Sequence, residues 1–576
     1  MNRDTQEAIS LNEYSTIRCY VTALLVVLFV CASFAAVASL LLLIAYAVTG
    51  NEQDGGLLLR LGIKGAFFVL ATAILGGSMF ATRHRREIVE QPPSAVGRGA
   101  LSWTEFAGLL AVLLMIAFEV APFLSRYPWA APDEMHHLVV ARNVAAYGLY
   151  ASGSPDKGFK LFDPYDSVGA PVILPVAALL RLVGMDSPPE IMLPAARVVM
   201  VAYYLLLCTA VFFLARGVLG PAATLAGILV MTASFGSTYL ARTLYGEAPA
   251  LAFLVMGLSL WRRGLAQPRV SRWLLLAGVF FGVSVLCKSI MALAAFAFVG
   301  AFVYDMVAFR KTRWLHFLVP GLSGSFVIAA WWALQASLQY HVIMEAGGTL
   351  GMYQHNLMFG YRSVGRAVGW MLQEPLALLG LVCGAVIAAA AIFRKRYDPP
   401  LVVLFLVAAL FAFWWVFFTP GQIPRYVWFS YAIGALFAGA AAWNALRDAF
   451  NRHCVLLRRA IGVALVLIVL LPAVERVARE ATEILTIDEM RDDRELALLI
   501  RDLPQSTRIS TTYWPLERTL NFLARRSVEV IAVIPDRIGV GRLVIVDLMT
   551  QPNMAKGFKP SIRVGRYAIL TEAPLK

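Results

Sequence analysis

The chain has 576 residues, 59% hydrophobic and only 15% charged, with a mean hydropathy of +0.70 and a formal charge of +14. Soluble domains carry roughly 25% charged residues, so this composition excludes an ordinary soluble fold and predicts a polytopic membrane protein. The basic excess sits mainly in short loops between apolar runs and forms no aromatic-interleaved platform, which excludes a nucleic-acid binder.

A membrane span needs about 20 apolar residues, and on that measure the chain holds about thirteen. They are Tyr20–Val48, Leu58–Phe80, Phe106–Leu124, Val198–Ala215, Leu219–Tyr239, Ala248–Trp261, Trp273–Cys287, Ile290–Met306, Leu315–Leu338, Leu376–Phe393, Leu401–Phe418, Val427–Trp443 and Ile461–Val474. The first run starts near Tyr20, is as long as a full span and lacks a small-residue cleavage site, so no cleaved leader is expected. The seventh and eighth are separated only by Lys288 and Ser289, and could form one broken element. Arg83, Arg85 and Arg86, then Arg262 to Arg272, Arg310 to Arg313, Arg394 to Arg396 and Arg447 to Arg459 fall on one side of this arrangement. The positive-inside rule puts that side, and the N-terminus, in the cytoplasm. The opposite side then holds the loop after Leu124, the Arg242–Glu247 turn, Lys288, the His341–Trp370 loop, Gln422–Tyr426 and the C-terminal tail.

From Glu475 onward the chain loses its long apolar runs. Arg508–Thr512, Val528–Ile534, Arg542–Val546 and Arg566–Leu570 read as short strands, and Glu480–Arg501 as a partly amphipathic helix. A small extracytoplasmic α/β domain over 476–576 is expected. Cys19, Cys31, Cys208, Cys287, Cys383 and Cys454 are scattered without a CxxC pair, and read as packing residues. No phosphate-loop, HExxH or CxxCH motif is present, and no internal repeat.

The chemistry concentrates between Tyr127 and Leu180, where Asp133, Glu134, His136, His137, Arg142, Asp163 and Asp166 lie between apolar segments. Charges at that density beside a membrane are costly unless they line a water- or ligand-filled cavity. Pro132 can open a helix with Asp133 and Glu134 in its first turn, where exposed N–H groups favour carboxylates. His136 and His137 then share a face with Asp133. A carboxylate beside imidazoles serves as a general base or holds a cation, and the bland alternative is a helix cap with interfacial histidines. A metal site built from Asp133, His136 and His137 stays open, with the imidazoles favouring Zn²⁺ over Mg²⁺. Asp163 and Asp166 precede a short Pro-bounded run, GAPVILPVAALLRLVG, that reads as an interfacial helix. The Gly-rich loop His341–Trp370, with Tyr353, Gln354 and His355, reads as a lid over a ligand or as an ordinary solvated loop.

The acidic pair after a span, the pattern A-x-x-x-x-x-x-G-x-Y and the G-x-P-x-x-x-P element resemble the GT-C superfamily of membrane glycosyltransferases. The bacterial relatives of protein O-mannosyltransferases and of lipid A aminoarabinose transferase are the nearest in pattern. The resemblance covers about Phe106 to Val474, leaving 1–105 as a two-span N-terminal addition with its cytoplasmic loop, and 106–475 as the catalytic membrane module with outer loop 125–197. It implies that Asp133, with Glu134 beside it, is the base that activates an acceptor hydroxyl or amine. It implies that Lys288 in GVSVLCKS and Arg425 and Tyr426 in PGQIPRY hold the phosphate of a polyprenyl-linked sugar. Arg242, in the outer turn Tyr239–Glu247, either meets phosphate as well or pairs with Glu247. His136, His137, Asp163, Asp166, Tyr353, His355 and Gln422 are then candidates for the sugar or acceptor. Ser289 stands where the family more often has Gly, and the His136–His137 doublet is not a general family mark.

The expected function is an inverting, polyprenyl-phosphate-sugar-dependent glycosyltransferase of the bacterial inner membrane. It would act on a glycan, lipid or protein acceptor at the periplasmic face, with the C-terminus periplasmic and no certain cofactor beyond the open question of a divalent metal. Two alternatives are weighed against it. A transporter or flippase of a lipid-linked saccharide explains the spans, but would place its charges near mid-membrane at broken helices. A scaffold presenting the tail to envelope partners predicts that Asp133 is dispensable.

Overall fold

The computed structural model describes residues 101–309, 314–338, 384, 398–418, 424–451, 474–475 and 491–572, apart from short interruptions. Five of the described helices are long and apolar enough to cross a membrane: Trp103–Val120, Pro189–Leu219, Trp314–Gln335, Pro399–Phe417 and Arg425–Arg447. The expected spans Tyr20–Val48, Leu58–Phe80, Leu376–Phe393 and Ile461–Val474 lie outside the described residues or nearly so.

Helix α1, Trp103–Val120, opens on a capping box in which Ser102 and Glu105 satisfy each other's backbone amides. Trp103, Leu110, Leu114 and Phe118 are exposed along it, as an apolar helix facing lipid requires. Helix α2 is Pro132–Tyr147, and a hairpin of β1, Ala151–Ser154, and β2, Gly158–Leu161, follows it. Helix α3, Ala170–Val183, is the expected short run, and it buries Val172, Ile173, Val176 and Leu180 in the core. Helix α4, Pro189–Leu219, has 31 residues. At 1.5 Å per residue it is about 46 Å long, well beyond the roughly 30 Å of hydrocarbon. Its extra turns carry Arg197 to the loop helix α2.

The expected span Leu219–Tyr239 is broken. Helix α5, Pro221–Thr232, stops where Ser234 and Ser237 both donate to the Met231 carbonyl, at 2.7 and 2.8 Å. Such side-chain bonds compete with the helix ladder. A single turn, Ser237–Leu240, leads through a buried bend to α6, Glu247–Leu265. Helix α7, Arg272–Cys287, ends at Lys288, whose backbone is extended, and a 3₁₀ turn, Ser289–Leu293, leads into α8, Ala294–Phe309. The break read at Lys288–Ser289 is therefore real. Helix α9, Trp314–Leu338, lies against α7. Their backbones approach closely, since a Cβ on Gly278 would stand 2.3 Å from the Pro320 carbonyl oxygen. Small residues at a crossing permit that approach. Helices α10, Pro399–Phe418, and α11, Trp428–Asn451, complete the described bundle.

The tail folds as a five-stranded mixed sheet. Helix α12, Arg491–Arg501, precedes β3, Arg508–Thr511; then come α13, Trp514–Leu523, β4, Val528–Val530, β5, Arg542–Asp547, β6, Ile562–Val564, and β7, Tyr567–Thr571. The strand order is β4-β3-β5-β7-β6, with β4, β3 and β5 parallel and the last three antiparallel. Four of these strands fall on the stretches read as strands, and β6 was not anticipated. Helix α13 is two-faced. Leu516, Thr519, Leu520 and Leu523 are buried, while Trp514, Glu517, Arg518 and Asn521 recur three and four residues apart on a less buried face. Helix α13 packs against α2: Arg518 reaches Asp133 from the second face, and Arg142 donates to the Asn521 main-chain carbonyl at 3.2 Å.

Candidate active site

Helix α2 does begin at Pro132, which places Asp133 and Glu134 in its first turn. The two carboxylates then part. Glu134 is fully buried and takes a bidentate grip from Arg197 of α4, with Nε at 3.0 Å and Nη2 at 2.7 Å. The Leu244 amide approaches the same carboxylate at 3.4 Å. Asp133 keeps 30% of its side chain exposed. Its Oδ2 accepts from Arg425 at 2.5 Å and its Oδ1 from Arg518 at 3.0 Å. Burial alone would raise the Asp133 pKa, but Arg425, with Lys288 beyond it, outweighs it and holds the carboxyl well below the usual range.

His137 lies within the charge field of Asp133, and its Nδ1 donates to the Leu244 carbonyl at 2.6 Å. A carbonyl can only accept, so Nδ1 carries the proton. Burial first, then neighbouring His136, drives the His137 pKa well below its ordinary value, so the ring is neutral. His136 is buried beside it, ring centroids 6.0 Å apart. Among the described residues no three His, Cys, Asp or Glu side chains are grouped to hold a metal ion. The proposed set of Asp133, His136 and His137 does not gather, because Asp133 is engaged by two guanidiniums and His137 by a backbone carbonyl.

The bend before α6 forms the next wall. Tyr239 donates to the Tyr245 hydroxyl at 2.7 Å, and burial pushes both phenols up, so both stay protonated. The Arg425 guanidinium lies 4.5 Å from the Tyr245 ring centroid and 5.2 Å from that of Tyr426. Cation–π contact of this kind fixes a guanidinium's plane. Arg425 Nε is buried with no acceptor among the described residues. Arg242 is buried in the same bend. Lys288 is also buried and pairs with Glu247 at 3.2 Å.

Gly246 makes that last pair. Its φ of +82° is open to glycine, and a Cβ there would stand 2.4 Å from the Cys287 carbonyl oxygen. The backbones before Glu247 and Lys288 thus touch, so their charges must meet. Gly246→Ala is expected to lower stability by about 1–3 kcal/mol through this strain, read as a drop in the thermal midpoint in detergent.

An apolar cavity of about 540 Å³ opens beside the break. Phe281, Val285, Met291, Phe298, Phe317 and Leu318 are among its lining residues, drawn from α7, α8, α9 and the 3₁₀ turn. Val285 and Met291 flank Lys288 by three residues on each side.

The structure therefore brings Asp133, Glu134, His136, His137, Arg242, Lys288, Arg425 and Tyr426 to one end of the bundle. Asp163, Asp166, Tyr353, His355 and Gln422 lie outside the described residues. Arg197 and Arg518 were missed. Arg197 directly precedes the apolar run Val198–Ala215, where a basic residue is an ordinary span boundary; Arg518 sits in a helix with an ordinary amphipathic pattern.

Residues 175–333, a little over a quarter of the chain, match the family described as dolichyl-phosphate-mannose-protein mannosyltransferase. That stretch contains Arg242, Glu247 and Lys288 but not Asp133, Arg425 or Arg518. No curated protein matches the chain. Among solved structures, ArnT from Cupriavidus metallidurans bound to undecaprenyl phosphate aligns with a TM-score of 0.54 at 15% identity, over 81% of this chain and 98% of that one. ArnT in the apo state aligns with a TM-score of 0.53 at 16% identity, over 81% and 97%. The fold is that of ArnT. The family match takes in GVSVLCKS, and the chain is a multi-pass helical membrane protein with an ArnT-like fold.

Proposed function

We propose that the chain transfers a sugar from a polyprenyl-phosphate donor to a hydroxyl or amine acceptor, with inversion, at the periplasmic end of the bundle. Residues 106–475 form the catalytic membrane module, and the tail from 476 lies on the same outer side. The observation that carries this reading is a cluster of cationic side chains beside an apolar cavity. Among the described residues, Lys288, Arg425 and Arg518 gather with Asp133 and Glu247 at this end of the bundle, and Arg197 and Arg242 are buried near them. Cations placed in this way suit an anionic ligand. A lipid phosphate supplies the anion, and its prenyl chain suits the cavity next to Lys288.

In this mechanism Lys288 and Arg425 take the donor phosphate, with Arg425 Nε offering a buried donor in need of an acceptor. Asp133 accepts the proton of the acceptor nucleophile as it attacks C1 of the sugar. The C1–O bond to phosphate breaks on the opposite face, and the leaving phosphate gathers charge against the cations. Glu134 is a positioning residue: through Arg197 and the Leu244 amide it fixes the first turn of α2.

The test is transfer from a radiolabelled polyprenyl-phosphate sugar by purified protein in nanodiscs, with the anomeric configuration of the product read by NMR. Inverted product supports the reading; retained configuration contradicts the single displacement. Movement of donor across the bilayer with no transfer would favour the flippase instead. Lys288→Met is expected to weaken donor binding about ten-fold or more and to destabilise, because it strands Glu247. Lys288→Met with Glu247→Gln should recover the thermal midpoint but not donor affinity, which separates binding from folding.

A further inference from the structure

We infer that Arg518, supplied by the tail, is a positioning residue for the Asp133 carboxylate, so that the active site is incomplete without the tail. The inference rests on the reading of Asp133 as the acceptor base. It follows from how the two arginines divide that carboxylate. Arg425 holds Oδ2, and Arg518 holds Oδ1 from a different wall. Arg425 also has a buried Nε with no acceptor among the described residues. A donor phosphate that engages Arg425 competes with Asp133 for the same guanidinium, so the hold on Oδ2 weakens and Oδ2 is freed toward the acceptor. The carboxylate then needs a second anchor or it rotates away, and Arg518 on Oδ1 is that anchor.

The tail is built to deliver it. Arg518 stands on the outward face of α13, and its guanidinium lies 4.9 Å from the Trp514 ring centroid, one turn back on the same face. The helix is held against the membrane module by contacts that do not touch Asp133. Arg142 donates to the Asn521 carbonyl, Ser154 and Ser527 share a hydrogen bond of 2.5 Å, and Arg525 donates to the Ser187 carbonyl. Docking and positioning can therefore be separated by mutation.

The experiment compares full-length Arg518→Ala, Arg518→Lys and Arg525→Ala in the nanodisc transfer assay, with and without added methylguanidinium. Arg518→Ala is expected to lower kcat about ten-fold, the loss of one charge-assisted hydrogen bond, with the donor KM within two-fold of wild type. Arg518→Lys should recover part of kcat, and methylguanidinium should restore Arg518→Ala but not Arg525→Ala. Wild-type kcat in Arg518→Ala, an equal loss in Arg525→Ala without rescue of either, or a change confined to KM would overturn the inference. If Arg518→Ala does not survive purification, Arg518→Gln, which keeps the stem of the side chain, takes its place in the same comparison. Asp133→Asn serves as the separate control. Should it retain transfer, the base assignment fails; should it lose transfer while Arg518→Ala does not, only the present inference fails.

Discussion

Asp133→Asn should leave a folded, donor-binding protein whose transfer rate is down by about 10³-fold, the middle of the range for loss of a general base. The substitution keeps the shape that Arg425 and Arg518 enclose but removes the negative charge and the proton-accepting site. Initial rates on labelled donor, paired with a donor-binding measurement on the same sample, check it. A rate within three-fold of wild type, with binding intact, would remove Asp133 from the mechanism. The depressed pKa adds a pH signature. Asp133 stays ionised down through the ordinary carboxylate range, so its contribution to stability is present above about pH 3.9 and is lost only as pH falls further, toward the lowered value. An acid limb near neutrality in wild-type transfer cannot then arise from Asp133 in the free enzyme.

Arg197→Met should cost the protein about 3–5 kcal/mol, because it leaves the Glu134 carboxylate uncompensated in a fully buried position. The paired change, Glu134→Gln with Arg197→Met, should recover most of that loss, since two apolar or neutral partners of similar volume carry no stranded charge. Thermal midpoints of the single and double variants in one detergent give the comparison. Recovery of stability without recovery of transfer is the expected pattern, because the first turn of α2 would no longer be fixed against Leu244. A single variant as stable as wild type would mean that the buried pair does not organise the site.

How far the sequence led depended on the range of the interaction. Asp133, Lys288 and Arg425 stood out locally, as charges set at the edges of apolar runs, and the structure gathers all three. The break at Lys288 was legible because two apolar runs met there without a turn. The end of α5 at Thr232 was not, since it depends on two serine hydroxyls returning to one carbonyl. The partners were harder still. Glu134 finds Arg197 63 residues away, and Asp133 finds Arg518 across 385. Nothing in the local pattern of α13 marks Arg518 apart from Arg525 or Arg526, and only the docking of the tail on α2 selects it. The close contact of Gly246 with Cys287, which brings Glu247 to Lys288, is equally a product of the fold.

The most direct test of the central claim, that this cation-rich end of the bundle binds the donor phosphate, is a cryo-EM structure with undecaprenyl phosphate added in nanodiscs. The account predicts the phosphate within hydrogen-bond reach of Lys288 and Arg425, the chain entering the cavity lined by Phe281, Met291 and Phe298, and the Asp133–Arg425 contact lengthened. Phosphate density away from both cations, with that contact unchanged and the cavity empty, would contradict it.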